Sequence, residues 1–136
     1  MFKKILLPID YAETNPNDPV LAATKLLAEQ NSAELMVVSV IPEIVRLPNL
    51  PEDYGSGAAK FVADNLQTFL DSVGIKAELT IKQGSVYREI LKLAHAESID
   101  LVVMSSPKGD FPDYPLGPNV ARVTRHANCS VLVVRE

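Results

Sequence analysis

The 136-residue sequence contains one cysteine, Cys129, no tryptophan and only six glycines. A lone cysteine excludes an intrachain disulfide, a CxxC redox pair and a cysteine-rich zinc site, and it fits a reducing compartment. Positive charge is also in short supply. Thirteen Lys and Arg stand against seventeen Asp and Glu, and the formal charge of -4 offers a polyanion no net attraction, so nucleic acid is not an expected partner. Long apolar runs are missing too. The N-terminal MFKKILLPID has an apolar stretch only from Ile5 to Ile9, too short for a signal-peptide core. Nothing approaches the ~18 apolar residues of a membrane span, so no membrane is expected and the default location is cytoplasmic. A Walker A loop, a GxGxxG turn, a GxSxG elbow, and the HxGH and SGGxDS phrases of nucleotide-activating enzymes are all absent. Histidines and carboxylates do not cluster at metal-ligand spacing, so no metal site is expected.

What is present is the composition of one globular domain, expected to span residues 1–136, with 47% hydrophobic and 22% charged residues. A chain of this size buries roughly 68 to 70% of its surface and needs no staple to sustain a core. Apolar, β-branched runs at Ile5 to Ile9, Glu34 to Ile41, Asp100 to Ser105 and Ser130 to Val134 are nearly continuous, as in parallel strands covered on both faces. Lys76 to Lys82 alternates instead, with Ala77, Leu79 and Ile81 on one side, and reads as an edge strand.

Helical patterns separate these runs. Asp18 and Pro19 look like an N-cap and first position, followed by an inward face of Val20, Ala23, Leu26 and Leu27. Ala58, Phe61, Val62, Leu66, Phe69, Leu70 and Val73 recur at helical spacing ahead of Gly74, a left-handed cap position. A third helix opens at Gly84 and Ser85 with Val86, Ile90, Leu93 and Ala94 inward, and a fourth starts near Gly117 with Val120, Val123 and Ala127. The alternation predicts an α/β fold, a single-domain open parallel sheet of five strands with helices on both faces. Two proline-rich loops, Pro42 to Tyr54 and Ser105 to Leu116, leave the carboxyl ends of strands, where ligands of open α/β sheets collect. The first of them is a candidate lid or a passive connector.

Asp10, at the end of ILLPID, is placed either to accept hydrogen bonds from a ribose hydroxyl or an adenine amine, or to turn its own loop. Gly117 opens the fourth helix, whose start is an anion site in principle, and Lys108, Ser105 and Ser106 could add charge and donors unless Lys108 is a solvated surface residue. His126 reads as a helix C-terminal cation, His95 as a surface residue and Cys129 as a small packing residue.

The phrases KKILLPID, GSVYREILKLA, IDLVVMS and above all LGPNVARVTRHANCSVLVVR make the whole chain resemble a universal stress protein. The resemblance implies the strand order 3-2-1-4-5 and a homodimer formed through the last strand, Val131 to Val134. It also implies an adenine nucleotide, ATP, ADP or AMP, with Mg2+ as a possible companion. The nucleoside contacts it implies fall on Pro8, Ile9, Asp10, Val40 and Met104. The family's phosphate loop, G-x2-G-x9-G-[ST], is altered here. Ser105 and Lys108 replace the first two glycines, Gly117 keeps the third, and Pro118 replaces the hydroxyl residue, leaving the amides of Asn119 and Val120 as donors. The chain is similar to a branch of the family with such a glycine-poor loop, some of whose members still hold adenine nucleotide.

Three functions follow as alternatives. The first is a nucleotide-binding regulatory module of the stress response that associates with an unknown protein partner. The second is a nucleotide-independent dimeric scaffold with a degenerate phosphate site. A weak ATPase ranks last, since no residue is evident as a catalytic base.

Overall fold

The computed structural model describes residues 1–42, 54–106 and 117–135. Its elements are β1 (Lys4–Pro8), α1 (Pro19–Asn31), β2 (Glu34–Ile41), α2 (Tyr54–Ser72), β3 (Glu78–Gln83), α3 (Val86–Ala96), β4 (Leu101–Ser106), α4 (Pro118–His126) and β5 (Ser130–Arg135). All strands pair in parallel, in the order β3-β2-β1-β4-β5. The alternating run is indeed an edge strand, although it starts at Glu78 rather than Lys76. Ile75 is buried and its amide returns to Leu70 O at 3.0 Å, so the residues just after it complete the exit from α2 before pairing begins.

Because successive strand residues point to opposite faces, β1 alone feeds two cores. Leu6 packs with Met36, Val38, Val102 and Met104 beneath α3 and α4, while Ile5 and Leu7 pack with Val37, Leu101 and Val103 beneath α1 and α2. These side chains are almost wholly removed from water, and shortening any of the larger ones would cost about 2–5 kcal/mol. The helices cover the faces as expected for α3, where Ile90, Leu93 and Ala94 are buried, and for α4, where Val120 and Val123 are.

Two inward residues of the sequence reading belong outside. Leu26 is 54% exposed, because the buried stripe of α1 runs through Val20, Leu21 and Thr24; Thr24 is tolerated there by donating its hydroxyl to Val20 O at 2.7 Å. Phe61 is 71% exposed on α2, where Val62, Leu66 and Leu70 form the buried line instead. Both misplaced residues fall on the far side of their helices from the buried stripe, so helical phase and not hydrophobicity decides their exposure.

At the amino end of the sheet, Asp100 clamps β1 to β4. Its carboxylate accepts the Lys3 amide on Oδ2 at 2.8 Å and the Lys4 amide on Oδ1 at 3.1 Å, and its own amide donates to Lys4 O at 3.0 Å. On the opposite side, the Arg122 guanidinium lies 5.0 Å from the centre of the Tyr87 ring and ties α4 to α3. The Arg88 Nε donates to the Tyr87 phenol oxygen, which holds that phenol below its usual pKa.

Candidate functional site

The carboxyl ends of β1, β2 and β4 open onto a cavity of about 590 Å³, within the size range of small-molecule sites. Its position follows from topology. The chain leaves β1 for α1 on one face of the sheet, and β4 for α4 on the other, so a crevice remains at the divergence. Val40 from β2 and Met104 from β4, both buried, supply apolar walls, and Ile90 and Val120 extend them under α3 and α4. Polar groups gather on the rim formed by the segment after β1.

Most of the residues singled out in the sequence meet here. Pro8, Ile9, Asp10, Val40, Met104, Ser105, Gly117, Asn119 and Val120 all line the cavity. Ser106 does not. It is 3% exposed and sits opposite Arg135 in the β4–β5 ladder. Lys108 and most of both proline-rich loops lie outside the described residues, so the lid reading of Pro42 to Tyr54 falls there too.

Asp10 performs the turn role in part. Its Oδ1 accepts the Ala12 amide at 2.9 Å and its carbonyl accepts the Glu13 amide at 3.2 Å, which fixes the loop after β1. Among the described residues its Oδ2 has no hydrogen-bond partner, so an acceptor remains at the cavity rim. Gly117, the N-cap of α4, is buried with φ of 72° and ψ of 159°. A Cβ there would meet nothing within 4 Å, so glycine is needed for the backbone conformation and not for space. Pro118 then begins a helix whose Asn119 and Val120 amides, in its first turn, have no intrahelical acceptors.

The main surprise is Asp18. It caps α1 as expected, with Oδ1 accepting the Val20 amide at 2.9 Å, but its Oδ2 accepts the Ser105 hydroxyl at 2.8 Å. The hydroxyl expected as a donor to a ligand is therefore already engaged, and a carboxylate stands beside the start of the altered loop. No local signal could have revealed a bond spanning 87 positions of sequence. Glu13 also lines the cavity and was not singled out. Among the described residues, the lining contains three carboxylates, Asp10, Glu13 and Asp18, and no lysine or arginine. No group of histidine, cysteine and carboxylate side chains among them could hold a metal ion.

A sequence model of the universal stress protein family matches residues 1–135. The chain belongs to the universal stress protein family. Universal stress protein G of Shigella flexneri is 28% identical over 145 residues, covering 99% of this chain and all of that protein. Universal stress protein MJ0577 of Methanocaldococcus jannaschii is 27% identical over 157 residues, covering 99% of this chain and 96% of that one. The solved MJ0577 structure superimposes with a TM-score of 0.75, over 100% of this chain and 97% of that chain. A universal stress protein solved in complex with cAMP reaches a TM-score of 0.64 at 17% identity, covering 98% of this chain and 97% of that one, a likeness of fold. The fold of this family member, a single-domain α/β sheet of order 3-2-1-4-5, agrees with the expectation from sequence. Among the described residues, no helix is long and apolar enough to cross a membrane.

Away from the cavity, Cys129 lies between α4 and β5, partly buried, and burial pushes its thiol above the usual range. The folded protein therefore carries less thiolate than an exposed cysteine at the same pH. Iodoacetamide at pH 8, followed by mass spectrometry, is expected to modify Cys129 several-fold more slowly in the native chain than in urea. Equal rates would show that the thiol is not shielded.

Proposed function

We propose that this universal stress protein binds an adenine nucleotide in the cavity at the ends of β1, β2 and β4 and acts as a cytoplasmic, homodimeric regulatory module of the stress response. The observation that carries the reading is the pairing of an apolar slot, between Val40 and Met104, with the unpartnered Asp10 Oδ2 on the rim. A purine is flat and largely apolar on its faces, while its exocyclic amine and the ribose hydroxyls donate hydrogen bonds. Pro8 and Ile9 hold the strand end that aims Asp10. The Asn119 and Val120 amides at the Gly117 turn, with Lys108 as a further candidate from sequence, are the groups available to a phosphate. Occupancy would bias the surrounding loops, and hence association with a protein partner, by the difference in affinity between loop states.

The experiment is to denature purified protein and identify the released small molecules by mass spectrometry. An adenine nucleotide near one per chain supports the reading. Nothing released, together with no heat on titration with adenine nucleotides, supports the alternative, a nucleotide-independent scaffold. That alternative draws on one observation: the Ser105 hydroxyl is spent on Asp18 and not available to a phosphate.

The dimer part of the proposal rests on β5. It forms one edge of the sheet, and Leu132 is 38% exposed there while Val131 and Val133 pack partly against the core. Sedimentation is expected to give a dimer at micromolar concentration. Val133→Pro removes an amide from the strand and is expected to shift the species to monomer. A wild-type monomer, or an unaffected dimer in the variant, would remove β5 as the interface.

A further inference from the structure

We infer that Ser105, with its hydroxyl proton committed to Asp18, is a hydrogen-bond acceptor that selects a ligand carrying a free ribose hydroxyl. This inference rests on the adenine reading above and adds a sugar specificity to it. The direction of the bond carries the argument. A carboxylate accepts and does not donate, so the proton between Ser105 Oγ and Asp18 Oδ2, 2.8 Å apart, comes from the serine. Ser105 Oγ keeps its lone pairs, and both residues line the cavity. A ligand group that meets Ser105 there must donate, which a hydroxyl or an amine does and an ionised phosphate does not.

Placement in the sheet decides between the two donors. Side chains alternate along β4, so Met104 joins Leu6 and Val38 on the face under α3 and α4, while Val103 and Ser105 lie on the face that α1 covers. The apolar slot for the base, between Val40 and Met104, belongs to the first face. The Ser105–Asp18 pair belongs to the second, across the strand ends, because Asp18 is the cap of α1. The exocyclic amine is part of the base and stays with it in the slot. The sugar is the part of the ligand that extends across the strand ends toward Ser105. Asp18 acts as a positioning residue. Its Oδ1 is tied to the first turn of α1 by the Val20 amide at 2.9 Å, and its Oδ2 then holds the serine hydroxyl in one orientation.

Calorimetric titration of the full chain with adenosine, 2′-deoxyadenosine and 3′-deoxyadenosine tests this. At least one deoxynucleoside is expected to bind about tenfold more weakly than adenosine, the effect of one lost hydrogen bond to a polarised acceptor. Ser105→Ala removes that acceptor, and Asp18 Oδ2 lies a further 2.8 Å behind the lost oxygen. The gap is expected to fall to about twofold or less in this variant. Asp18→Asn reads the role of the carboxylate. Asparagine remains a competent N-cap, but with its oxygen kept on the Val20 amide its NH2 faces Ser105, takes one of the serine lone pairs and lets the serine proton turn to the ligand. The gap is expected to narrow by about threefold, whereas a purely structural role of Asp18 leaves it unchanged. Ser105→Ala answers the question if Asp18→Asn fails to fold. Two deoxynucleosides that bind as tightly as adenosine, or a gap unmoved in Ser105→Ala or in a folded Asp18→Asn, overturn the inference while leaving the adenine site intact. Binding of none of the three nucleosides overturns the adenine site and this inference with it.

Discussion

Asp100→Ala is expected to destabilise the folded chain by about 3 kcal/mol, since hydrogen bonds to a charged group contribute about 1.5–3 kcal/mol each and two are lost. The affected site is the junction of two central strands. The β1–β4 ladder is short, with Ile5 opposite Leu101 and Leu6 opposite Val102, whereas β1 pairs with β2 along its whole length. The Asp100 carboxylate extends that ladder by capturing the Lys3 and Lys4 amides. Without it both amides lose their acceptor, and only the Asp100 amide to Lys4 O bond remains. Partial exposure lets water compensate in part, which keeps the estimate near the lower end of the summed range. Urea denaturation should show a lower midpoint with an unchanged slope. Asp100→Asn keeps one acceptor oxygen and is expected to lose about half as much. If Asp100→Ala unfolds at the wild-type midpoint, the clamp contributes nothing to stability.

Asp10→Ala is expected to weaken adenosine binding by roughly tenfold to a hundredfold, the effect of losing a charged acceptor for one or two ligand donors. The same change frees the Ala12 amide and loosens the loop after β1. Asp10→Asn separates the two effects, because asparagine supports the same turn while removing the charge. An affinity loss in Asp10→Asn approaching that of Asp10→Ala assigns the effect to the ligand contact. Retention of wild-type affinity in Asp10→Asn would confine Asp10 to shaping the loop. Calorimetry reads the affinities, and thermal unfolding without ligand shows whether the fold is disturbed. Asp10 is exposed at a strand end, so little change in unfolding temperature is expected.

The architecture was legible because its determinants are local. The run ELMVVSVI announces a covered strand and the polar-apolar alternation of Lys76 to Lys82 announces an edge, whereas SVLVV, read from its continuous apolar character as covered on both faces, forms the other edge of the sheet with none of its residues fully buried. Gly74 and Gly117 both adopt positive φ, as glycines at a helix exit and a helix start suggested. The misread residues were those for which hydrophobicity does not decide orientation. Leu26 and Phe61 are apolar, yet each lies well outside the helical phase of the buried stripe on α1 or α2 and faces water.

The candidate site was legible in its apolar half and only partly in its polar half. Val40, Met104 and Asp10 sit at strand ends, and strand ends are found by pattern. Asp18 was visible only as a helix cap. Its second role depends on bringing the start of α1 beside the end of β4, which the sheet order accomplishes and no nearby residue signals. The negative character of the rim likewise emerges only when the loop after β1 is folded against the crevice.

An amide chemical-shift map of the 15N-labelled chain titrated with adenosine tests the adenine site most directly. Saturable shifts are expected at Ile9, Asp10, Val40, Met104, Asn119 and Val120, with the outer face of α2 and the Asp100 clamp undisturbed. An unchanged spectrum at millimolar adenosine, or shifts that cluster away from the ends of β1, β2 and β4, would contradict it.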